Sequence, residues 1–169
     1  MDPANDHSSL EPRLPTTDDL VLLCRLLNEA RARYLVLGGF AIIQHGFARA
    51  TEDIDILIDT SPENIARVKS AMMGLPDGAV REVNADDFKE CLVVRVGDEF
   101  VVDLMRQACG ITFADASKHV VLMTVRDVPI PFADPRLLWR TKQTHRDKDA
   151  LDRVFLAELL KQRGEWPVD

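Results

Sequence analysis

The sequence lacks any apolar run approaching the ~20 residues that a membrane-spanning helix requires. Its first 15 residues lack the apolar core of a secretory leader and carry Pro, Asn, Ser and Asp instead. Residues 1–16 are therefore expected to form a disordered or extended tail. Cysteine is scarce. Cys24, Cys91 and Cys109 are an odd, scattered set of three. They make neither a CxxC metal pair nor a disulfide framework, which predicts reduced thiols and a cytoplasmic protein. Internal repeats and low-complexity segments are missing. A broad cationic face is missing too. The formal net charge is −7, which argues against a general nucleic-acid coat protein. A polyanionic substrate is still compatible if metal ions and a local basic patch handle it. Arg136, Arg140, Lys142, Arg146 and Lys148 form such a patch in sequence.

What is present is a globular composition. The 169 residues are 46% hydrophobic, enough for one domain with a real core, expected over residues 17–163. Leu20, Leu23, Cys24 and Leu27 fall at helical spacing within Asp18–Arg33. Thr16 or Thr17 caps that helix, and Asp18 and Asp19 sit in its first turn. Tyr34–Leu37 reads as a short buried strand, broken by Gly38-Gly39 and followed by a helix over Phe40–His45. Ile54–Ile58 is a strand. Ser61-Pro62 starts a helix that runs to about Met73. Cys91–Val96 and Phe100–Met105 pair across Gly97-Asp98-Glu99. Val120–Val125 and Val128–Phe132 pair across Arg126-Asp127. Asp134-Pro135 opens a helix to about Lys142. A last helix spans Asp147–Gln162, with Leu151, Val154, Phe155 and Leu159 expected on its buried face. The fold class is α/β or α+β, a mixed central sheet of about five strands with flanking helices.

The chemistry concentrates in Thr51-Glu52-Asp53-Ile54-Asp55-Ile56-Leu57-Ile58-Asp59. Alternate residues of a strand share a face, so Asp53 and Asp55 point one way while Ile54, Ile56 and Ile58 point into a core. Asp103 stands in the middle of a second apolar strand, where an unpaired charge is costly. If the two strands are neighbours, the three carboxylates cluster. Two like charges ~5 Å apart repel by about 3 kcal/mol at an effective dielectric near 20. A cation should therefore stabilise them, and a hard divalent ion with oxygen ligands suits this donor set. A blander reading pairs Asp103 with an arginine such as Arg95 or Arg106. Asp-x-Asp on its own usually marks a solvated strand edge. Gly38-Gly39, between strand and helix, lets a ligand approach the backbone, or simply makes a tight turn.

The order Gly38-Gly39, then Asp53-Ile54-Asp55, then Asp103 in a distant apolar strand resembles the signature of the polymerase-beta-like nucleotidyltransferases. LVLGGFAIIQHGFARATEDIDILID, over Leu35–Asp59, carries most of the likeness. The run Arg146-Asp147-Lys148-Asp149-x-x-Asp152 resembles the C-terminal part of small bacterial members, the abortive-infection type toxin nucleotidyltransferases among them. The resemblance implies transfer of a nucleoside monophosphate from an NTP to an acceptor hydroxyl, with Mg²⁺ or Mn²⁺ as cofactor. Asp53, Asp55 and Asp103 would then be catalytic and hold the metal. Gly38, Gly39, Arg49, Thr51 and Lys142 would bind the nucleotide, with Arg146 and Lys148 weaker candidates. Many members place Ser after the first glycine. Gly39 stands there in this chain, which removes one side-chain contact and keeps the backbone ones.

The resemblance implies an RNA or protein acceptor and an antitoxin-like protein partner; the lack of a long apolar run predicts no membrane association. So small a domain offers few contacts to a large acceptor, which is then expected across a dimer, a partner or an open groove. The alternatives are a small-molecule, antibiotic-modifying nucleotidyltransferase and a non-catalytic nucleotide-binding or interaction module. His45, Trp139 and Phe155 are expected to be structural, and Trp166 to lie in a tail.

Overall fold

The computed structural model describes residues 11–169. Most of the expected tail, residues 1–10, lies outside the described residues. Within its remainder, Arg13 pairs with Asp19 and Glu99, and its guanidinium lies over the Phe100 ring.

Seven α-helices, one 3-10 turn and eight strands are present among the described residues. Helix α1 (Thr17–Glu29) is closed at its start by a capping box in which Thr16 and Asp19 satisfy each other's backbone N–H groups. It leads into strand β1 (Tyr34–Leu37), buried throughout. Helix α2 (Gly38–Gln44) starts at the first glycine, two residues earlier than the apolar pattern suggested. Gly38 makes the turn with φ +63°, a conformation other residues rarely adopt. Strand β2 (Asp53–Ile58) and helix α3 (Pro62–Met72) follow, the helix capped by Ser61 with Pro62 in its first turn.

A 3-10 turn (Ala79–Glu82) and a short helix α4 (Asp87–Glu90) lead to strands β3 (Val93–Gly97) and β4 (Val101–Met105). The small pair β5 (Gln107–Ala108) and β6 (Ile111–Thr112) and helix α5 (Phe113–Ala116) lie where the sequence marks no element. Strands β7 (Val120–Val125) and β8 (Val128–Ala133) form the expected hairpin. Helices α6 (Pro135–Thr141) and α7 (Asp147–Gln162) close the chain.

The main sheet has six strands in the order β3-β4-β2-β1-β8-β7. This corrects the expected five: every apolar segment read from the sequence joins the same sheet. The sheet is mixed. β2 pairs antiparallel with β1 but parallel with β4, and β1 pairs parallel with β8. Ile54 and Ile56 are fully buried, as are Leu35, Val36, Val102 and Phe132 on the neighbouring strands. At ~25 cal/mol per Å² of apolar surface, burial of these side chains helps to anchor the central strands. Helix α2 packs over β1 and β2, while α1 packs against α3 and β8.

Helix α7 corrects the expected buried face. Leu151 and Val154 are 64% and 66% exposed, and the fully buried positions are Asp149, Asp152, Leu156 and Leu160. The 149-152-156-160 stripe has proper helical spacing, but it contains two acids, which hydropathy assigns to solvent. Their charges are paired inside the protein, and that pairing sets the helix rotation. Phe155 is half-buried and stacks on Phe47, with ring centroids 5.0 Å apart. Trp166, for which the sequence suggested no role, packs edge-on against Trp139 at 4.9 Å.

Candidate active site and metal centre

Strand register builds the site. β2 and β4 run side by side with Asp55 directly opposite Asp103. Both side chains therefore rise from the same face of the sheet, and Asp53, two residues from Asp55, shares it. Each of the three offers a carboxylate oxygen within 4.8 Å of the others'. On the opposite face Ile54, Ile56 and Val102 are fully buried. The packing that holds the strands is thus the packing that aims the acids.

The cluster is electrostatically strained. Protein surrounds Asp55, and burial pushes its carboxyl up to about 7, with the neighbouring Asp53 and Asp103 charges adding to the rise and Lys142 and Lys148 opposing it. Asp53 is raised as well, first by burial and then by Asp103, with Lys148 and Arg95 acting in the other direction. Burial and mutual repulsion thus oppose ionisation of two of the three carboxyls, and a nearby positive charge would favour their charged forms.

Part of that charge is met by Arg95. It lies on β3 directly across from Asp103. Its Nε and one terminal nitrogen bond the two oxygens of Asp103 at 2.9 and 3.0 Å, and that same nitrogen reaches Asp53 at 3.2 Å. The arginine pairing considered for Asp103 is therefore present, through Arg95. Arg106 instead donates to the backbone carbonyls of Phe88 and Lys89.

The two glycines are required by contact. A Cβ on Gly38 would overlap the carboxylate of Asp55, and one on Gly39 would overlap the side chain of Thr51. The bare backbone of this turn is the wall against which Asp55 rests. The Thr51 hydroxyl donates to the carbonyl of Asp53 and so fixes the start of β2.

A second, buried charge network stands behind the cleft. Lys142, 6% exposed at its side chain, lies 3.2 Å from Asp149 and 2.9 Å from Asp152. Arg49 also pairs with Asp152, at 2.9 Å. Asp149 further accepts from Thr144 and Arg146. Those bonds and the Lys142 charge overcome its burial and hold its carboxyl below the usual range. Lys142 and Arg49 therefore face the cleft already tied to acids of α7. One oxygen of Asp152 and the Nε of Arg49 are buried without a hydrogen-bond partner.

A cleft of about 520 Å³ is lined by Gly39, Arg49, Thr51, Glu52, the three acids, Arg95, Lys142, Arg146 and Lys148 among others. Gly38 borders a small adjoining cavity with Asp55 and Lys142. The five-residue basic patch read from the sequence divides: Lys142, Arg146 and Lys148 reach the cleft, Arg140 lines a separate hollow beside Trp139, and Arg136 lines neither. The sequence reading assigned no site role to Arg95, Asp149 or Asp152. Arg95 carries a signal in hindsight, as a charge alternating with Val94 and Val96 on the strand beside Asp103. Asp149 and Asp152 enter the sequence reading only through the resemblance of the run Arg146–Asp152.

The carboxylate set fits a hard divalent cation: three oxygen donors on one face, within 4.8 Å of one another. No family model matches the chain, and no curated protein matches it. Among solved structures, a "putative nucleotidyltransferase" from Thermotoga maritima is similar, with a TM-score of 0.50 and 17% identity, covering 92% of this chain and 98% of that one. At this identity the likeness bears on the fold alone, a mixed sheet with flanking helices.

Proposed function

We propose that the protein is a metal-dependent nucleotidyltransferase that moves a nucleoside monophosphate from an NTP to an acceptor hydroxyl and releases pyrophosphate. The observation that carries this reading is the convergence of Asp53, Asp55 and Asp103, from two adjacent parallel strands, at the glycine turn Gly38-Gly39 in a cation-rimmed cleft. Asp53, Asp55 and Asp103 would hold Mg²⁺ or Mn²⁺. Such an ion neutralises phosphate charge and lowers the pKa of an attacking hydroxyl.

The chain's own groups do the rest. The cleft's cations, exposed Lys148 and Arg146 first, meet the triphosphate. They are more exposed than Lys142 and Arg49, which are tied to Asp149 and Asp152, although Arg146 also bonds Asp149 through its Nε. The acceptor oxygen bonds to the α-phosphorus, the bond from that phosphorus to the bridging oxygen breaks, and pyrophosphate leaves with the electron pair. The hydroxyl proton passes to the carboxylate side of the cleft, where Asp103 is the candidate base. Positioning and fixed charge supply most of the rate, as in other phosphoryl-type transfers.

The charge of the rim bears on the acceptor class. Glu52, Asp53, Asp55 and Asp103 line the cleft along with Arg49, Arg95, Lys142, Arg146 and Lys148, so once a metal neutralises the acids the remaining positive charge disfavours a cationic aminoglycoside. A polyanionic acceptor such as an RNA end is favoured, with a protein hydroxyl next. The toxin-type assignment rests on the sequence resemblance alone. The test is incubation with each α-labelled NTP, Mg²⁺ or Mn²⁺, and total RNA or lysate. Label is expected to move onto RNA with the native protein and to fall at least ~10³-fold in Asp53→Ala. Label on protein or on a small molecule would reassign the acceptor. Absence of both transfer and NTP binding would leave the interaction module as the better reading.

A further inference from the structure

The acid triad already carries a cation of the chain's own. Arg95 grips both oxygens of Asp103 and touches Asp53, so it occupies two of the three carboxylates assigned to the metal. Its acceptors are buried or nearly so, with side chains 9% and 17% exposed, yet the Arg95 side chain is 64% exposed. The guanidinium therefore covers the acids from the solvent side, the side from which an ion or nucleotide arrives. A fork-shaped pair of charge-assisted bonds is strong enough to hold that position. The wide exposure of the arginine lets water take over its donors when it leaves.

We propose that Arg95 is the resident counter-ion of the acid triad and competes with the divalent cation for Asp103 and Asp53. Metal loading then requires the guanidinium to leave Asp103. A triphosphate entering with the metal offers it replacement oxygens, so metal and nucleotide bind together more tightly than either alone. Metal by itself binds weakly. Strand register explains why this residue can do so: Arg95, Asp103 and Asp55 form one row across β3, β4 and β2, and the stem of Arg95 needs only to swing outward for the row to open. The inference rests on the metal-site reading of the triad given above.

The experiment is Mn²⁺ binding to the full chain, followed by electron paramagnetic resonance, with and without a non-hydrolysable NTP analogue. Arg95→Ala is expected to bind Mn²⁺ alone about tenfold more tightly than the native protein, and to lose most of the analogue's enhancement. Arg95→Lys, which keeps the charge but not the fork, should fall between the two. Lys148→Ala is the control for charge alone, since Lys148 acts on Asp53 through its charge without bonding it. If Arg95→Ala gains no more affinity than Lys148→Ala, the competition proposal is overturned while the metal site stands. If neither the native protein nor Arg95→Ala binds Mn²⁺, or if Asp103→Asn leaves binding unchanged, the metal site itself is wrong and the proposal falls with it. A melting curve of metal-free Arg95→Ala guards against misfolding. It should be lowered relative to the native protein and recover on adding Mn²⁺, and a curve that Mn²⁺ does not restore counts against the proposal.

Discussion

Asp55 is the residue in which fold and chemistry are most directly in conflict. Its carboxyl stands near 7 in the folded chain against 3.8 ordinarily. A raised carboxyl favours the protonated folded state. The stability it confers is complete below about pH 4 and is lost as pH climbs through about 7. Asp55→Asn mimics the protonated form. In urea titrations of metal-free protein it should match the native chain near pH 4 and exceed it by about 1–3 kcal/mol at pH 8, allowing for partial solvent access. An unchanged difference between the two pH values would refute the strained-acid account. Gly38 is the companion case. Gly38→Ala forces a side chain into a left-handed turn and into the Asp55 carboxylate. It is expected to cost about 2–4 kcal/mol in the same titrations and to abolish metal binding.

Helix α7 shows how a charged pair can orient an element. Its buried stripe begins with Asp149 and Asp152, neutralised by Lys142, Arg49 and Arg146, and continues with Leu156 and Leu160. The network fastens α7 to the end of α6 and to the loop before β2, so the rear wall of the cleft is held by ion pairs as well as by apolar packing. Leu156→Ala should destabilise by about 2–5 kcal/mol. The double change Leu151→Ser and Val154→Ser should stay within about 0.5 kcal/mol. Thermal denaturation of the two variants distinguishes this rotation from the one hydropathy suggests, which predicts the reverse. Asp152→Ala removes a shared partner of two cations, one of them buried, and is expected to cost about 3–5 kcal/mol.

At the scale of the whole molecule, an ion that binds only the folded triad must stabilise the chain by mass action. At a hundredfold excess over its dissociation constant that is about 2.7 kcal/mol, or a rise in melting temperature of roughly 5–10 °C for a domain of this size. Mg²⁺ or Mn²⁺ should produce this rise in the native protein and not in a variant carrying Asp53→Ala and Asp103→Ala, as read by calorimetry. None of the helices described is long and apolar enough to cross a membrane.

The sequence by itself determined the strands of the sheet, the helix starts at Thr16, Ser61 and Asp134, and the shared face of Asp53 and Asp55, because alternation and capping act within a few residues. It also pointed to Asp103, since an acid inside an apolar strand stands out locally. Tertiary structure alone decided that β4 lies beside β2 in a register placing Asp103 opposite Asp55, that Arg95 lands on Asp103 and Asp53 together, and that α7 turns its aspartates inward. Each of these depends on a partner 8 to 103 residues away. The energy of a buried charge is set by that partner, and local pattern carries no record of it.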